Sequence, residues 1–279
     1  MRIAFVGGGN MATALVGSLV ANGRPPSHFV IVEPMEAQRA RLAQRFPGVS
    51  LSPDVSGARL DDVALLVLSV KPQQMRDACI ALQPVIDGVP AVLSIAAGTR
   101  IATLSHWLGG YARIVRAMPN TPSLVRAGIT GIFAPSSVDE ASRDVAVKVL
   151  AAAGEVVWCA EESMLDAVTG VSASGPAYVF YCIEALEQAA CDLGFSAQDA
   201  RKLAYATFEG AVKLARSSED DVRTLRAQVT SKGGTTERGI AALEDAGVGQ
   251  AIIDAAKAAT ARARELGEPP ADATAGPAR

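Results

Sequence analysis

The residues Val6, Gly7, Gly8, Gly9, Asn10, Met11 and Ala12 form the pattern G-x-G-x-x-A, directly behind an apolar run and ahead of a helical one. That setting suits a dinucleotide pyrophosphate. Gly7 permits a tight turn, Gly9 lets the phosphates approach the backbone, and Ala12 lets helix and strand pack closely. The phosphates would meet free N–H groups at the positive end of a helix dipole. A second stretch of the same chemical kind lies far along the chain, at Thr230-Ser231-Lys232-Gly233-Gly234-Thr235-Thr236. Glycines, hydroxyl donors and a helix start converge there in a form suited to a carboxylate. Each stretch alone also fits an ordinary glycine-containing turn, but two in one chain point to a reaction between a dinucleotide and a small anion.

Open parallel sheets bind ligands at the carboxyl ends of their strands, and further candidates fall there. Ser69, Val70, Lys71 and Pro72 follow one apolar run, and Pro72 would start the next helix, leaving the Lys71 ammonium at the crevice. The small residues Ala96 and Ala97 follow another, where a flat nicotinamide ring could lie against backbone, and Asn120 follows a third. Glu33 closes the second run, where the adenosine ribose is expected. A carboxylate suits a free 2'-hydroxyl and so favours NAD, whereas Arg39 and Arg41 nearby would neutralise the 2'-phosphate of NADP. A third reading makes Glu33 a solvated loop acid beside Pro34. The sequence leaves these open.

The elements that must position these residues change character midway. Apolar runs at Arg2 to Val6, Phe29 to Glu33, Val63 to Ser69, Ala91 to Ile95 and Ala112 to Arg116 alternate with helical patterns, the rhythm of a parallel sheet covered on both faces. Further strands are expected at Gly128 to Phe133 and Glu155 to Trp158, around a helix from Asp139 to Ala153. After Cys159 the pattern is helical. Val179, Ile183, Leu186, Ala190 and Leu193 form a stripe that needs another helix against it, and Ser196 is placed to cap a second helix. Two more helices are expected around Thr235 to Ala246 and Gln250 to Leu266. The predicted division is a Rossmann-type α/β dinucleotide-binding domain at 1–160, an all-α dimerisation and substrate domain at 161–267, and a flexible tail at 268–279.

Composition narrows the function classes. The net charge of -3, with no basic cluster carrying interleaved aromatics, argues against nucleic acid. No run approaches the ~20 apolar residues of a membrane span, and Ile3 to Val6 is too short for a signal peptide, so the cytoplasm is the expected location. Cys79, Cys159, Cys182 and Cys191 are scattered and read as buried reduced thiols; with His28 and His106 in unrelated segments, no metal site is expected.

The combination of motifs resembles the pyrroline-5-carboxylate reductase family along nearly the whole chain. It runs through Phe5 to Ala12, Val70 to Gln73, Ser94 to Gly98, Met118 to Pro122, Asp166 to Gly170, Ser172 to Tyr178 and Gly233 to Thr236. The resemblance implies reduction of the C=N bond of 1-pyrroline-5-carboxylate to L-proline, the last step of proline biosynthesis, with NADPH or NADH as hydride donor. It assigns the cofactor to the glycine turn, to Val70 to Pro72 and to Ala96-Ala97. It assigns the substrate carboxylate to Gly233, Gly234, Thr235 and Thr236, with Ser231 and Gln228 beside them. Glu162 falls in a stretch that faces both ligands in the family. The helical domains of the family interlace into homodimers, which often assemble further into rings. One departure stands out: Lys232 replaces the proline of the family's Ser-Pro-Gly-Gly, restoring an N–H and adding a cation. Thr236, or a water it orients, is the expected proton source. Two rival readings are a 3-hydroxyacid dehydrogenase, which needs a general base that Gly175 to Gly194 does not supply as Lys or His, and a non-catalytic dinucleotide sensor.

Overall fold

The computed structural model describes residues 1–268, so the expected tail lies, but for Glu268, outside the described residues. The chain divides into two compact units, one comprising Met1–Ser174 with the residues from Ala258 on, the other Gly175–Lys257.

The first unit is a Rossmann-type α/β fold. Among the described residues it holds one eight-stranded sheet: β1 (Arg2–Val6), β2 (Phe29–Val32), β3 (Ser50–Ser52), β4 (Val63–Leu68), β5 (Val92–Ser94), β6 (Ile114–Met118), β7 (Gly128–Phe133) and β8 (Gly154–Trp158). The spatial order is β3-β2-β1-β4-β5-β6-β7-β8. The helices are α1 (Asn10–Ala21), α2 (Glu36–Arg45), α3 (Pro72–Leu82), α4 (Ile101–Trp107), α5 (Glu140–Ala151) and α6 (Met164–Val168), with a π-helical turn at Thr169–Ala173.

The central strands are apolar at nearly every position because helices cover both faces. Alternate residues enter separate cores. Ile3 and Phe5 of β1 join Phe29 and Ile31 of β2 and Leu15 and Leu19 of α1. Ala4 and Val6 join Val30 and Val32, Leu66 and Leu68 of β4, and Met75, Cys79 and Leu82 of α3.

Three details differ from the sequence reading. The short polar strand β3 pairs in parallel with β2 and was not expected. The sheet is not uniformly parallel, because β7 runs antiparallel to β6. The strand expected at Ala112 to Arg116 is centred two residues later, at Ile114–Met118.

The second unit is helical: α7 (Gly175–Asp192), α8 (Ala197–Ser217), α9 (Val222–Gln228), α10 (Thr235–Asp245) and α11 (Val248–Leu266), whose residues from Ala258 count with the first unit. Ser196 caps α8, its Oγ accepting the Asp199 N–H at 3.2 Å. Among the described residues of this unit only Ala200 and Ala204 are buried, while Phe180, Tyr181, Leu193 and Val212 are each more than half exposed. No described helix is long and apolar enough to cross a membrane. Of the cysteines, Cys79 and Cys159 are buried as expected, but Cys182 and Cys191 on α7 are only half-buried.

Two consequences are open to measurement. Gly154 has φ +151° and faces Gly128 across β7 and β8 so closely that a Cβ would overlap the Gly128 carbonyl. Gly154→Ala is therefore expected to lower unfolding stability by about 3 kcal/mol or more in a denaturant titration. Burial pushes the Cys79 thiol up to about 12. At neutral pH it should resist alkylation in the native protein and react only on unfolding, as mass spectrometry of labelled peptides would show.

Candidate functional site

The glycine turn is fixed by backbone approach. Gly7 has φ +99°, and a Cβ there would stand 2.8 Å from the Ser69 carbonyl carbon and oxygen. The Gly7 N–H donates to Val32 O at 2.8 Å, while the Ser69 hydroxyl donates to Gly7 O at 2.7 Å. Ser69 thus braces the turn from the end of β4. Gly9, in contrast, has nothing within 4 Å of where a Cβ would sit. It caps α1 without a side-chain hydrogen bond, and the first turn of α1 holds no acid. Asn10 is exposed, Met11 half-buried, and Ala12 fully buried against the sheet. An uncapped helix N-terminus with open space before it fits a diphosphate.

Beside the turn lies a cavity of about 380 Å³ whose lining includes Val6, Gly7, Glu33, Asp54, Val70 and Lys71. Glu33 is not a solvated loop acid: it is 8% exposed, accepting the Gly8 N–H on Oε2 and the Met35 N–H on Oε1, both at 2.9 Å. Gln38 completes the bracing, its Nε2 donating to Gly8 O at 2.7 Å. Lys71 is the exposed residue ahead of α3, and Pro72 takes the first-turn position.

The loop after β5 carries Ala96, buried, and Ala97, half-buried, and turns at Gly98 with φ +78°. Asn120 does not offer its amide to a ligand here: Oδ1 accepts the Ile129 N–H at 3.0 Å and Nδ2 donates to Ser172 O at 3.1 Å. Glu162 belongs to a charge network. Its Oε1 accepts from Arg116 Nη1 at 3.0 Å and from the Ile101 N–H at 2.8 Å, at the start of α4. Asp166 Oδ2 accepts from Arg100 Nη2 at 2.6 Å, and its Oδ1 stands 4.0 Å from Arg116 Nη2. Burial pulls the Arg116 pKa below the usual arginine range, partly offset by Glu162. Arg116, Arg100 and Asp166 were missed as a cluster. The signal was present, since an arginine inside Ile114-Val115-Arg116-Ala117-Met118 must find a partner if that strand is buried.

In the second unit, Ser231 and Lys232 are exposed, Gly233 has φ +75°, and Gly234 caps α10 without a side-chain hydrogen bond. Thr235 and Thr236 open that helix on its exposed surface. The Gly233 N–H donates to Glu237 Oε2 at 2.7 Å, so a carboxylate already sits on this loop. Gln228 ends α9, its Nε2 donating to Asp220 Oδ2 at 2.8 Å.

The fold, with its uncapped glycine turn, defines a dinucleotide-dependent oxidoreductase, and residues 2–98 match the family model described as NADP oxidoreductase, coenzyme F420-dependent. Residues 162–266 match the model for pyrroline-5-carboxylate reductase dimerisation. Pyrroline-5-carboxylate reductase from Pseudomonas aeruginosa is 41% identical over 270 residues, covering 96% of this chain and 97% of that protein. The solved pyrroline-5-carboxylate reductase of Coxiella burnetii is 38% identical with a TM-score of 0.89, covering 96% of this chain and 98% of that one. The Plasmodium falciparum pyrroline carboxylate reductase, solved with NADP bound, shares the fold at TM-score 0.84 and 24% identity, covering 96% and 98%. The chain belongs to the pyrroline-5-carboxylate reductase family. It is an NAD(P)H-dependent reductase of the C=N bond of 1-pyrroline-5-carboxylate, forming L-proline.

The network around Arg116 should be costly to break from one side. Arg116→Met would leave Glu162 without its cation and Asp166 with Arg100 alone, and is expected to destabilise by about 3 kcal/mol in chemical denaturation. An unchanged midpoint would show that the buried charges are not coupled.

Proposed function

We propose that the first unit holds the reduced dinucleotide at the glycine turn, with Gly9, Asn10 and Met11 presenting backbone N–H groups to the diphosphate. Gly7, Gly8 and Ala12 shape the turn, and Ser69 acts through it rather than on the ligand. Val6, Val70 and Lys71 line the adenosine side beside Glu33. Pro72 fixes the start of α3, and Ala96 and Ala97 give a small-residue floor for the nicotinamide. Asn120 and Glu162 act as positioning residues: both polar atoms of the Asn120 amide are engaged with backbone, and Glu162 Oε1 is held by Arg116 and the Ile101 N–H. Bound NAD(P)H supplies the hydride that the C5 carbon of the cyclic imine accepts.

The substrate half of the reading is carried by the Glu237 carboxylate on the Gly233 N–H. That contact supports a carboxylate as the group this loop accepts, and the substrate carboxylate would take its place with Ser231, Gly234 and Thr235 around it and Gln228 alongside. The imine nitrogen needs one proton as its carbon takes the hydride. The Thr236 hydroxyl, or a water it orients, supplies that proton or holds the protonated imine in place. Rate then comes mainly from fixing donor and acceptor at close approach, which can be worth several kcal/mol of barrier. Alcohol oxidation would lack the lysine or histidine base expected on α7, since Gly175–Asp192 contains neither.

We also propose that the helical unit forms a homodimer. Its exposed apolar side chains, Phe180, Tyr181, Leu186 and Val212 among them, are more than one chain covers, and its family model is one of dimerisation. The division into a cofactor domain and a helical domain follows the matched segments, with the helical match starting at residue 162 and the compact helical unit at 175. The ring assemblies seen in the family and the cytoplasm remain part of the proposal.

Purified protein should consume reduced nicotinamide in the presence of 1-pyrroline-5-carboxylate, followed by absorbance; no consumption with either cofactor would sink the reading. Thr236→Ala is expected to lower kcat about a hundredfold, the low end of a general acid's contribution. Glu237→Ala removes the carboxylate that competes for the Gly233 N–H. It should lower KM for the imine by a factor of about three to five, the net worth of one exposed hydrogen bond at about 1 kcal/mol, with kcat little changed.

A further inference from the structure

We propose that Glu33 makes this enzyme prefer NADH to NADPH. The proposal rests on the dinucleotide reading of the glycine turn. An ionised carboxylate has about four acceptor sites on its two oxygens. In Glu33 one site on each oxygen is taken, by the N–H groups of Gly8 and Met35, both at 2.9 Å. Acceptor capacity remains on both oxygens for the vicinal 2'- and 3'-hydroxyls of an adenosine ribose. A 2'-phosphate offers only acceptors and negative charge to the same oxygens.

The carboxylate has no low-cost way to move aside. Swinging it out would strand the Gly8 N–H, which lies buried beneath it. Gly8 is locked in turn: a Cβ there would stand 2.6 Å from Leu42 Cδ1 and 3.3 Å from Glu33 Oε2. The cations that the sequence offered for a 2'-phosphate do not line the cavity. Arg39 Nη1 donates to Glu33 O at 2.8 Å and Pro34 O at 2.7 Å, and neither Arg39 nor Arg41 lines the cavity beside Glu33. Among the described residues lining that cavity, Lys71 is the one cation and Asp54 is a second carboxylate. The Ser56 hydroxyl and the Gly57 N–H hold Asp54 below the usual carboxylate range, so both acids oppose a phosphate.

The test is direct binding, separate from turnover. Full-length protein is titrated with NADH and with NADPH, following nicotinamide fluorescence, and kcat/KM is measured for both with 1-pyrroline-5-carboxylate. The dissociation constant for NADH should be lower by at least about tenfold, the scale of one like-charge contact avoided. Glu33→Gln, checked for folding by its melting temperature, should narrow that ratio several-fold by improving NADPH, and Arg41→Ala should leave it unchanged. Tighter binding of NADPH by the wild type, or an unchanged ratio in a folded Glu33→Gln, would overturn the proposal while leaving the dinucleotide site intact. Binding of neither cofactor would overturn the site assignment itself. If Glu33→Gln does not fold, the wild-type ratio decides.

Discussion

The site on the first unit depends on one close approach, that of the Gly7 backbone to the carboxyl end of β4. With a Cβ excluded at 2.8 Å from the Ser69 carbonyl, the chain can cross there only as glycine with positive φ. The approach is tied by hydrogen bonds on every side. Gly7 donates to β2 at Val32, the Ser69 N–H donates to Val6 O, and the Ser69 hydroxyl returns to Gly7 O. Three strand ends thus meet at one turn. The exit direction of α1 follows from it, and so does the free space in front of Gly9. Glu33 and Gln38 then attach to the N–H and the carbonyl of Gly8, so the ribose end of the cavity inherits its geometry from the same turn.

Much of this was legible in the residues because it is local. The boundaries of β1 and β7 follow from their apolar runs, and Pro72 and Ser196 mark helix starts by their own chemistry. G-x-G-x-x-A implies a positive φ at its first glycine and an open helix N-terminus, and both are present. What the residues do not encode locally is pairing. The antiparallel run of β7 leaves no trace in its pattern, because side-chain alternation has the same period in either direction. β3 has only three residues, two of them serines, and exists because Val30 to Val32 present an edge to it. Likewise the helical unit shows its apolar stripes plainly in sequence, but which surface covers them is not written in their spacing.

Glu33 shows how a structure changes the weight of equal alternatives. From sequence, an acid beside Pro34 with two arginines downstream is compatible with either nucleotide or with none. The deciding facts are nonlocal: a burial of all but 8%, and the spending of Arg39 on two backbone carbonyls. An arginine so used has its Nη1 committed to holding the end of β2 in shape.

The buried charges beyond β6 follow a different logic. Taking Arg116, 2% exposed, and Asp166, 1% exposed, out of water costs several kcal/mol per ion before pairing offsets it, so stability alone does not explain them. Apolar replacements of similar volume would pack as well. What they could not do is act on a particular backbone group. Glu162, oriented by Arg116, accepts the N–H of Ile101, one of the orphan donors at the start of α4. Arg100, just before it, is held by Asp166, and the glycine turn at Gly98 runs so close to Leu266 at the end of α11 that a Cβ on Gly98 would stand 3.1 Å from it. The short loop from Ala96 to Ile101 is thereby fixed from two sides by segments distant in sequence. A loop proposed to carry a nicotinamide ring gains from such bracing, since a floor held rigid before the ligand arrives need not be ordered by it.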